Sequence, residues 1–522
     1  MGKAWVWRGF ASGLAAGALM SAAMYAGRVW YGVPMFHELL GERMIRILPM
    51  RLFSLLISRL LFAAKPLAFY SSLAAVVFLF GVLGALYGAW LARRTAAAPR
   101  VVLGLGVSAA TWVLLAAVLF PLLGGGFLAS AVPAGGVPTP LALAVYSLLY
   151  GIPLVALMPR GRTGPAGGMI RRLPPVVGGM PVEDAGRRQF LARSLLWGAV
   201  LAGLSAGRWV TTGARRAAAA AQTIFQRIKG LPPEVTPTDK FYTVSKNFFD
   251  PEVDGRKWAL EVTGLVEKPL TFTYPEFKAL PSTNRYHTLC CISNPIGGDL
   301  ISNATWRGVR LRDILARGGV KPNAKKVAFH AADGFSSAIP LALANHPDTL
   351  IVYEMNGQML PRKHGFPARL LIPGVYGMKQ PKWVTKIEVV AADFQGYWER
   401  QGWSDTAVVK TMSKLTTVGN GAQVPMGEAG LGGVAYAGNR GIAEVEYSTD
   451  GGKTWQRAEV KPALGQYTWS LWAAAWKPAQ AGDHVIKVRA KDGTGAPQDP
   501  TERDSLPEGA TGYHTVRLRV RK

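Results

Sequence analysis

At 522 residues the chain is long enough for roughly two or three domains, and 49% hydrophobic residues with a mean hydropathy of +0.15 is high for a purely soluble protein. A net charge of +27 would suit a nucleic-acid partner. The first 180 residues, however, hold only two acids, Glu38 and Glu42, while Lys and Arg flank the apolar runs, so much of the excess is membrane-flanking charge and nucleic acid is set aside.

Apolar runs of about 20 residues, enough to cross a bilayer, lie near Phe10 to Tyr31, Pro66 to Leu91, Val101 to Leu123 and Pro140 to Met158. They make residues 1–160 a four-span α-helical membrane bundle. Between the first two runs, Pro34 to Ala64 carries Arg43, Arg46, Arg51 and Arg59 at near-helical spacing. Arginine is too costly at mid-bilayer for a casual span, so this stretch reads as a pair of amphipathic interfacial helices. The loop from Arg93 to Arg100 and the segment from Arg160 to Arg193 are strongly positive, whereas Gly124 to Thr139 carries no charge. Positive loops stay cytoplasmic. With a fifth, shorter run at Phe190 to Val210, the N-terminus is expected in the cytoplasm and everything after residue 210 outside it, although this leaves the Arg-rich 34–64 segment on the outer side.

The bundle holds one histidine, His37, which excludes bis-histidine haem between spans, and no Cys-x-x-Cys-His exists for a c-type haem. The spans lack ionisable groups at mid-membrane, which favours anchoring, or docking to a quinone-linked partner, over ion transport. In residues 161–210, a basic cytoplasmic segment plus the fifth span, Gly186-Arg-Arg-Gln-Phe-Leu-Ala192 looks like a twin-arginine export signal; an ordinary positive flank is the plainer alternative. Residues 211–237, Ala-rich and then Leu231-Pro-Pro-Glu-Val-Thr-Pro237, read as a tether.

From Lys240 the composition is that of a soluble mixed α/β domain, placed at 238–405. Trp258 to Gly264 alternates as a strand, Tyr274 to Leu280 reads as a short helix, and Thr305 to Ala316 as a Trp-Arg-Gly turn running into an amphipathic helix. Both cysteines of the chain, Cys290 and Cys291, end an apolar run and are followed by Ser293, Asn294, Pro295 and the pair Gly297-Gly298. Adjacent cysteines bridge each other only with strain, and no further cysteine exists for a zinc or iron–sulfur set. A thiolate acting as metal ligand or nucleophile, or two buried small hydrophobes, are the readings left.

Cys291-Ile-Ser-Asn294, its Gly-rich loop and Ala304-Thr-Trp-Arg-Gly-Val-Arg-Leu-Arg-Asp-Ile-Leu315 resemble the metal-ligand segment of the sulfite oxidase family of molybdopterin enzymes. The resemblance implies a loop-rich mixed α+β domain and a molybdenum held by one pterin dithiolene and the thiolate of Cys291, the catalytic and metal-ligating residue. It continues in family order. Ala332-Asp-Gly-Phe335 would bring Asp333 to the pterin. His364-Gly-Phe-Pro-Ala-Arg369 would supply His364 and Arg369, and Gln380, Pro381 and Lys382 would wrap the pterin phosphate. Phe241-Tyr-Thr-Val-Ser-Lys-Asn247 is a looser match that adds Ser245, Lys246 and Asn247.

Residues 406–522 carry a hairpin signal, Ile442 to Ala458 around Asp450-Gly-Gly452, and strands at Tyr467 to Trp472, His484 to Ala490 and His514 to Val520. Regular strands point to an immunoglobulin-like β-sandwich, similar to the family's dimerisation domain, and hence to a homodimer. Taken together, the sequence implies a membrane-anchored oxidoreductase performing two-electron oxygen-atom transfer outside the cytoplasm, with no haem or iron–sulfur cluster of its own. A separate cytochrome or quinone-linked protein would then exchange its electrons. Sulfite oxidases place an Arg soon after Cys-x-x-Asn and a Tyr beside the metal. Here Pro295-Ile-Gly-Gly298 follows, and the Tyr position falls near Gly402 or Trp403. A small S- or N-oxide or oxyanion is therefore the expected substrate. The alternatives are a sulfite dehydrogenase-type enzyme, a cofactor-binding module on a membrane sensor or transporter, or an adhesion protein that has lost its metal.

Overall fold

The computed structural model describes residues 2–47, 64–93, 99–130, 138–158 and 223–522 apart from Phe248 and Glu428. The twin-arginine-like segment, the fifth run, the first part of the tether and the second half of the interfacial pair lie outside the described residues. Met1–Met158 and Gly230–Lys522 form one compact unit.

Four helices among the described residues are long and apolar enough to cross a membrane: Lys3–Tyr31, Pro66–Leu91, Arg100–Leu122 and Thr139–Leu157. The first starts earlier than its apolar run because the N-terminal Lys3 to Arg8 stretch is also helical. Small residues set the approach of the first two. A side chain at Gly84 would overlap Gly9 O, and one at Gly88 would overlap Trp5 O, so only glycine lets these backbones touch. Tyr150 Oη donates to Phe80 O at 2.8 Å and Trp112 Nε1 to Pro140 O at 3.0 Å, satisfying polar groups inside the bundle. A helix forms at Phe36–Ile47, where the first of the interfacial pair is expected, with Phe36, His37 and Glu38 buried. Glu38 pairs with Arg28 at 3.0 Å and accepts from Met35 N–H at 2.9 Å. Phe249 packs edge-on to Tyr25 and Phe69 at centroid distances of 6.1 and 5.9 Å, with the Arg28 guanidinium 5.5 Å from its ring centre.

The next region is built from two sheets. One, of five strands, runs β2 (Leu270–Thr273), β1 (Ala259–Gly264), β10 (Val384–Val390), β5 (Lys326–Ala331), β6 (Ser336–Pro340), with β1 and β10 parallel and the other neighbours antiparallel. The other runs β3 (Ser282–Cys290), β4 (Ile301–Arg310), β7 (Leu350–Met355), β8 (Gln358–Met359), with β9 (Arg369–Leu371) also on β7. The Trp306-Arg307-Gly308 turn expected from sequence is instead the interior of β4. The ladder to β7 slips between Arg307 and Gly308, where a side chain would overlap Ile351 O, and this bulge sends the chain into the helix Leu311–Gly318.

The C-terminal region has two sheets whose inner faces share one core that includes Leu431, Val445, Trp472, Ile486 and Val516: a β-sandwich. The hairpin forms at Ile442–Ser448 and Gln456–Arg457. The strand expected from Tyr467 starts only at Ser470, because Tyr467 and Trp469 turn to β3. Tyr467 O accepts from Thr288 N–H at 2.9 Å, and Trp469 N–H donates to Thr288 Oγ1 at 3.0 Å.

Phe249→Ala removes both ring pairs and the cation contact, each worth about 1 kcal/mol. The expected outcome is an unfolding free energy lower by about 1–3 kcal/mol for full-length protein in detergent, from denaturant titration read by tryptophan fluorescence.

Candidate active site

The apolar run ending in the cysteines is β3, the edge strand of the second sheet, and its last pair with β4 is Cys290 to Ile301. Cys291 continues the ladder by donating its N–H to Leu300 O at 2.9 Å, after which the chain turns. Asn294 holds the turn. Its N–H donates to Cys291 O at 3.1 Å, its Oδ1 accepts from Leu300 N–H at 2.9 Å, and its Nδ2 points to Cys290 Sγ at 3.8 Å. This gives the Asn of Cys-x-x-Asn a structural task. Gly297, at φ +70°, packs on the His514 ring with no room for a side chain, and Lys414 Nζ binds Gly298 O at 3.0 Å and the Asp299 carboxylate. The loop is thus closed from behind by the C-terminal sandwich.

The two thiols face different surroundings. Cys290 is sealed, and burial pushes its thiol well up. Cys291 Sγ lines a cleft of about 980 Å3, mouth included, 3.0 Å from Ser293 Oγ, and burial also raises its thiol. Metal coordination would reverse that direction, since a bound cation deprotonates a thiol outright.

Around the cleft the structure brings together Ser245, Lys246, Asp333, His364, Arg369, Gln380, Pro381 and Lys382. Asn247 stands behind the wall, buried, with Nδ2 donating to Asp333 Oδ2 at 2.8 Å and Oδ1 accepting from Lys246 Nζ at 2.7 Å. Four cations, Lys246, Lys363, Arg369 and Lys382, face one carboxylate, Asp333. Burial lowers Arg369 to about 10, and its Nε is buried with no partner while its other nitrogens bind His364 O and Gln380 O. Burial and then Arg369 lower His364 to about 4, so its imidazole is neutral at pH 7, held against Thr238 O at 3.2 Å. A strongly basic pocket with an orphaned guanidinium N–H fits an anionic phosphate-bearing group.

Sequence reasoning did not single out Tyr242, Lys363, Trp398 or the pair Lys379–Glu399. Trp398 and Trp403 line the cleft, and Trp403 Nε1 is a buried donor without a partner. Their loop is fastened by Glu399, whose Oε1 accepts from Lys379 Nζ at 2.5 Å and from Ser337 Oγ at 2.8 Å; both ionic side chains are 2% exposed. Lys379 directly precedes Gln380, so the aromatic wall and the basic wall are tied by one buried ion pair. A Lys and a Glu this far apart in sequence carry no periodic signal.

Residues 248–398 match the oxidoreductase molybdopterin binding domain, and residues 405–516 the Mo-co oxidoreductase dimerisation domain. Sulfite oxidase of Arabidopsis thaliana is 31% identical over 55% of this chain and 88% of its own length. The chain belongs to the sulfite oxidase family. It is accordingly a molybdopterin oxidoreductase, with a dimerisation domain at its C-terminal end. The mitochondrial sulfite oxidase of Mus musculus is 30% identical over 50% of this chain, which spans only 58% of that protein. Among solved structures, the sulfane dehydrogenase SoxCD from Paracoccus pantotrophus aligns with a TM-score of 0.48 and 23% identity over 55% of this chain and 84% of that one. The bundle of residues 2–158 precedes both matched domains of this sulfite oxidase family chain.

Two outcomes check the site. Glu399→Ala leaves the buried Lys379 ammonium with the half-exposed Asp405 carboxylate, 3.3 Å away, as its remaining ionic partner, and is expected to cost about 3 kcal/mol in chemical unfolding. His364 is held below its unfolded value near 6.5, so the unfolded chain takes up the extra proton. Its contribution to stability is present above about 6.5 and lost as pH falls towards about 4; a His364→Gln variant is expected to flatten unfolding free energy against pH across that window.

Proposed function

We propose that this protein is a membrane-anchored molybdopterin oxidoreductase that moves an oxygen atom and two electrons at a molybdenum ligated by Cys291, on the extracytoplasmic side. The observation that carries the reading is that, of two adjacent buried thiols, Cys291 is the one that opens into a cleft ringed by cations. Arg369, Lys382 and Lys363 would neutralise the pterin phosphate, with Gln380 fixing the loop: its Oε1 accepts from Ile372 N–H at 3.0 Å and its Nε2 donates to Val375 O at 2.9 Å. Asp333 and Ser245 would meet the polar edge of the pterin, and neutral His364 adds a hydrogen-bonding ring without further charge. When bound, the group supplies the two-electron change and the oxygen-accepting centre.

The chain's own residues then orient the substrate and keep water out. Ile292, Phe335, Trp398 and Trp403 give the cleft an apolar and aromatic wall, and Trp403 Nε1 offers a donor to an oxygen atom. With Pro295 after Cys-x-x-Asn instead of an anion-holding Arg, this favours a small neutral S- or N-oxide over a dianion. Sulfite oxidation is the second reading, favoured by the 31% identity to a sulfite oxidase. For sidedness, the catalytic domain meets the bundle through Phe249 at Tyr25 and Phe69, while Arg93 and Arg100 lie at the opposite helix ends. Positive loops stay in the cytoplasm, which leaves the domain outside. The dimerisation domain supports a homodimer, and electrons would pass to or from a separate cytochrome or quinone-linked protein.

Elemental analysis of full-length protein is expected to find molybdenum near one atom per chain, and Cys291→Ser to lose it or its metal spectrum. A metal-free wild type, or an unaltered Cys291→Ser spectrum, refutes the reading. In a reduced-dye assay, dimethyl sulfoxide and trimethylamine N-oxide are expected to turn over faster than sulfite does with an acceptor dye, and Trp403→Phe to lower kcat/KM for the oxide about tenfold, a loss the size of one hydrogen bond.

A further inference from the structure

Ser293 has no place in the roles assigned so far, yet its hydroxyl lies 3.0 Å from Cys291 Sγ and both line the cleft. In the free thiol either atom can donate. Once that sulfur is a metal-bound thiolate it has no proton left, and only the Ser293 hydroxyl can be the donor. The Ser293 hydroxyl and that sulfur are thus the two ends of one direct hydrogen bond. They are held there by the turn: Cys291 N–H on Leu300 O, Asn294 N–H on Cys291 O, and Asn294 Oδ1 on Leu300 N–H fix the chain on both sides of Ser293. Cys290 has no such arrangement; its sulfur meets only the Asn294 amide, at 3.8 Å, and its own neighbour's carbonyl, at 3.6 Å.

A hydrogen bond to a ligating sulfur withdraws charge from the metal–sulfur bond and stabilises the more electron-rich, reduced state. We propose that Ser293 is a positioning residue whose Oγ–H donates to the Cys291 thiolate and raises the reduction potential of the centre, biasing it towards accepting electrons from a donor. This rests on the reading of Cys291 as the molybdenum ligand. The hydroxyl tunes the sulfur and does not contact substrate, so its removal acts on potential and on kcat rather than on KM.

The test uses purified full-length protein. Molybdenum content is measured first; a metal-free wild type refutes the ligand reading itself, not this inference. In metal-bearing protein, Ser293→Ala is expected to retain molybdenum within about twofold and to show a lower midpoint potential in a redox titration followed by paramagnetic resonance, with an altered metal signal. Its KM for dimethyl sulfoxide is expected to stay within about twofold of wild type. Ser293→Thr, which keeps the hydroxyl, is expected to restore potential and signal. An unchanged potential in Ser293→Ala overturns the proposal. So does a tenfold rise in KM without a shift in potential, which would make Ser293 a substrate contact. If both Ser293→Ala and Ser293→Gly fail to hold metal while Ser293→Thr holds it, the hydroxyl serves cofactor capture and the proposal is likewise overturned.

Discussion

The cleft depends on how Asn294 closes the turn after β3. One residue ties both arms of the loop, its side-chain Oδ1 accepting from Leu300 N–H and its backbone N–H donating to Cys291 O, and its amide nitrogen occupies the Cys290 sulfur. Without it the chain leaving an edge strand would be an ordinary surface loop. With it, adjacent cysteines are held with their sulfurs in different environments, and the chemistry of the site follows from which one is exposed to the cleft. The sandwich reinforces this from behind, since the His514 ring packs where Gly297 leaves no room for a side chain and Lys414 Nζ binds Gly298 O.

Charge is the second constraint. The cleft concentrates Lys246, Lys363, Arg369 and Lys382 around one Asp, and Arg369 is buried deeply enough that desolvation lowers its affinity for the proton. An isolated cationic group in that position is costly, and its unpartnered Nε marks where compensation has to come from outside the polypeptide. The ion pair of Lys379 with Glu399 is a different case: it is internally compensated, and it fixes the tryptophan-bearing loop against the loop that carries Gln380.

The four apolar helices were legible because length and hydropathy are local properties. The hairpin at Asp450 was legible because turn chemistry is local too. The segments from Asp333, His364 and Gln380 could be read as motifs, and they converge on Cys291 in space although they lie on separate loops. What was not legible depends on tertiary context. Trp306-Arg307-Gly308 reads as a turn from its glycine, yet β7 captures it as a bulge. Tyr467 and Trp469 alternate like strand residues, yet Thr288 recruits their backbone. The hydrogen bond from Asn247 to Asp333 joins two segments far apart in sequence and has no local signal either. Lys379 and Glu399 meet only after both loops are in place.

Phe249 lies two residues from Asn247, and its ring is lodged between Tyr25, Arg28 and Phe69 of the helical region. A leash that only kept the enzyme near a lipid surface would be exchangeable for any greasy anchor of equal length. A socket shaped around one aromatic plug is not, and the helices and the oxidoreductase module are therefore bound to diverge as a matched pair, each change at the plug requiring an answer in the socket.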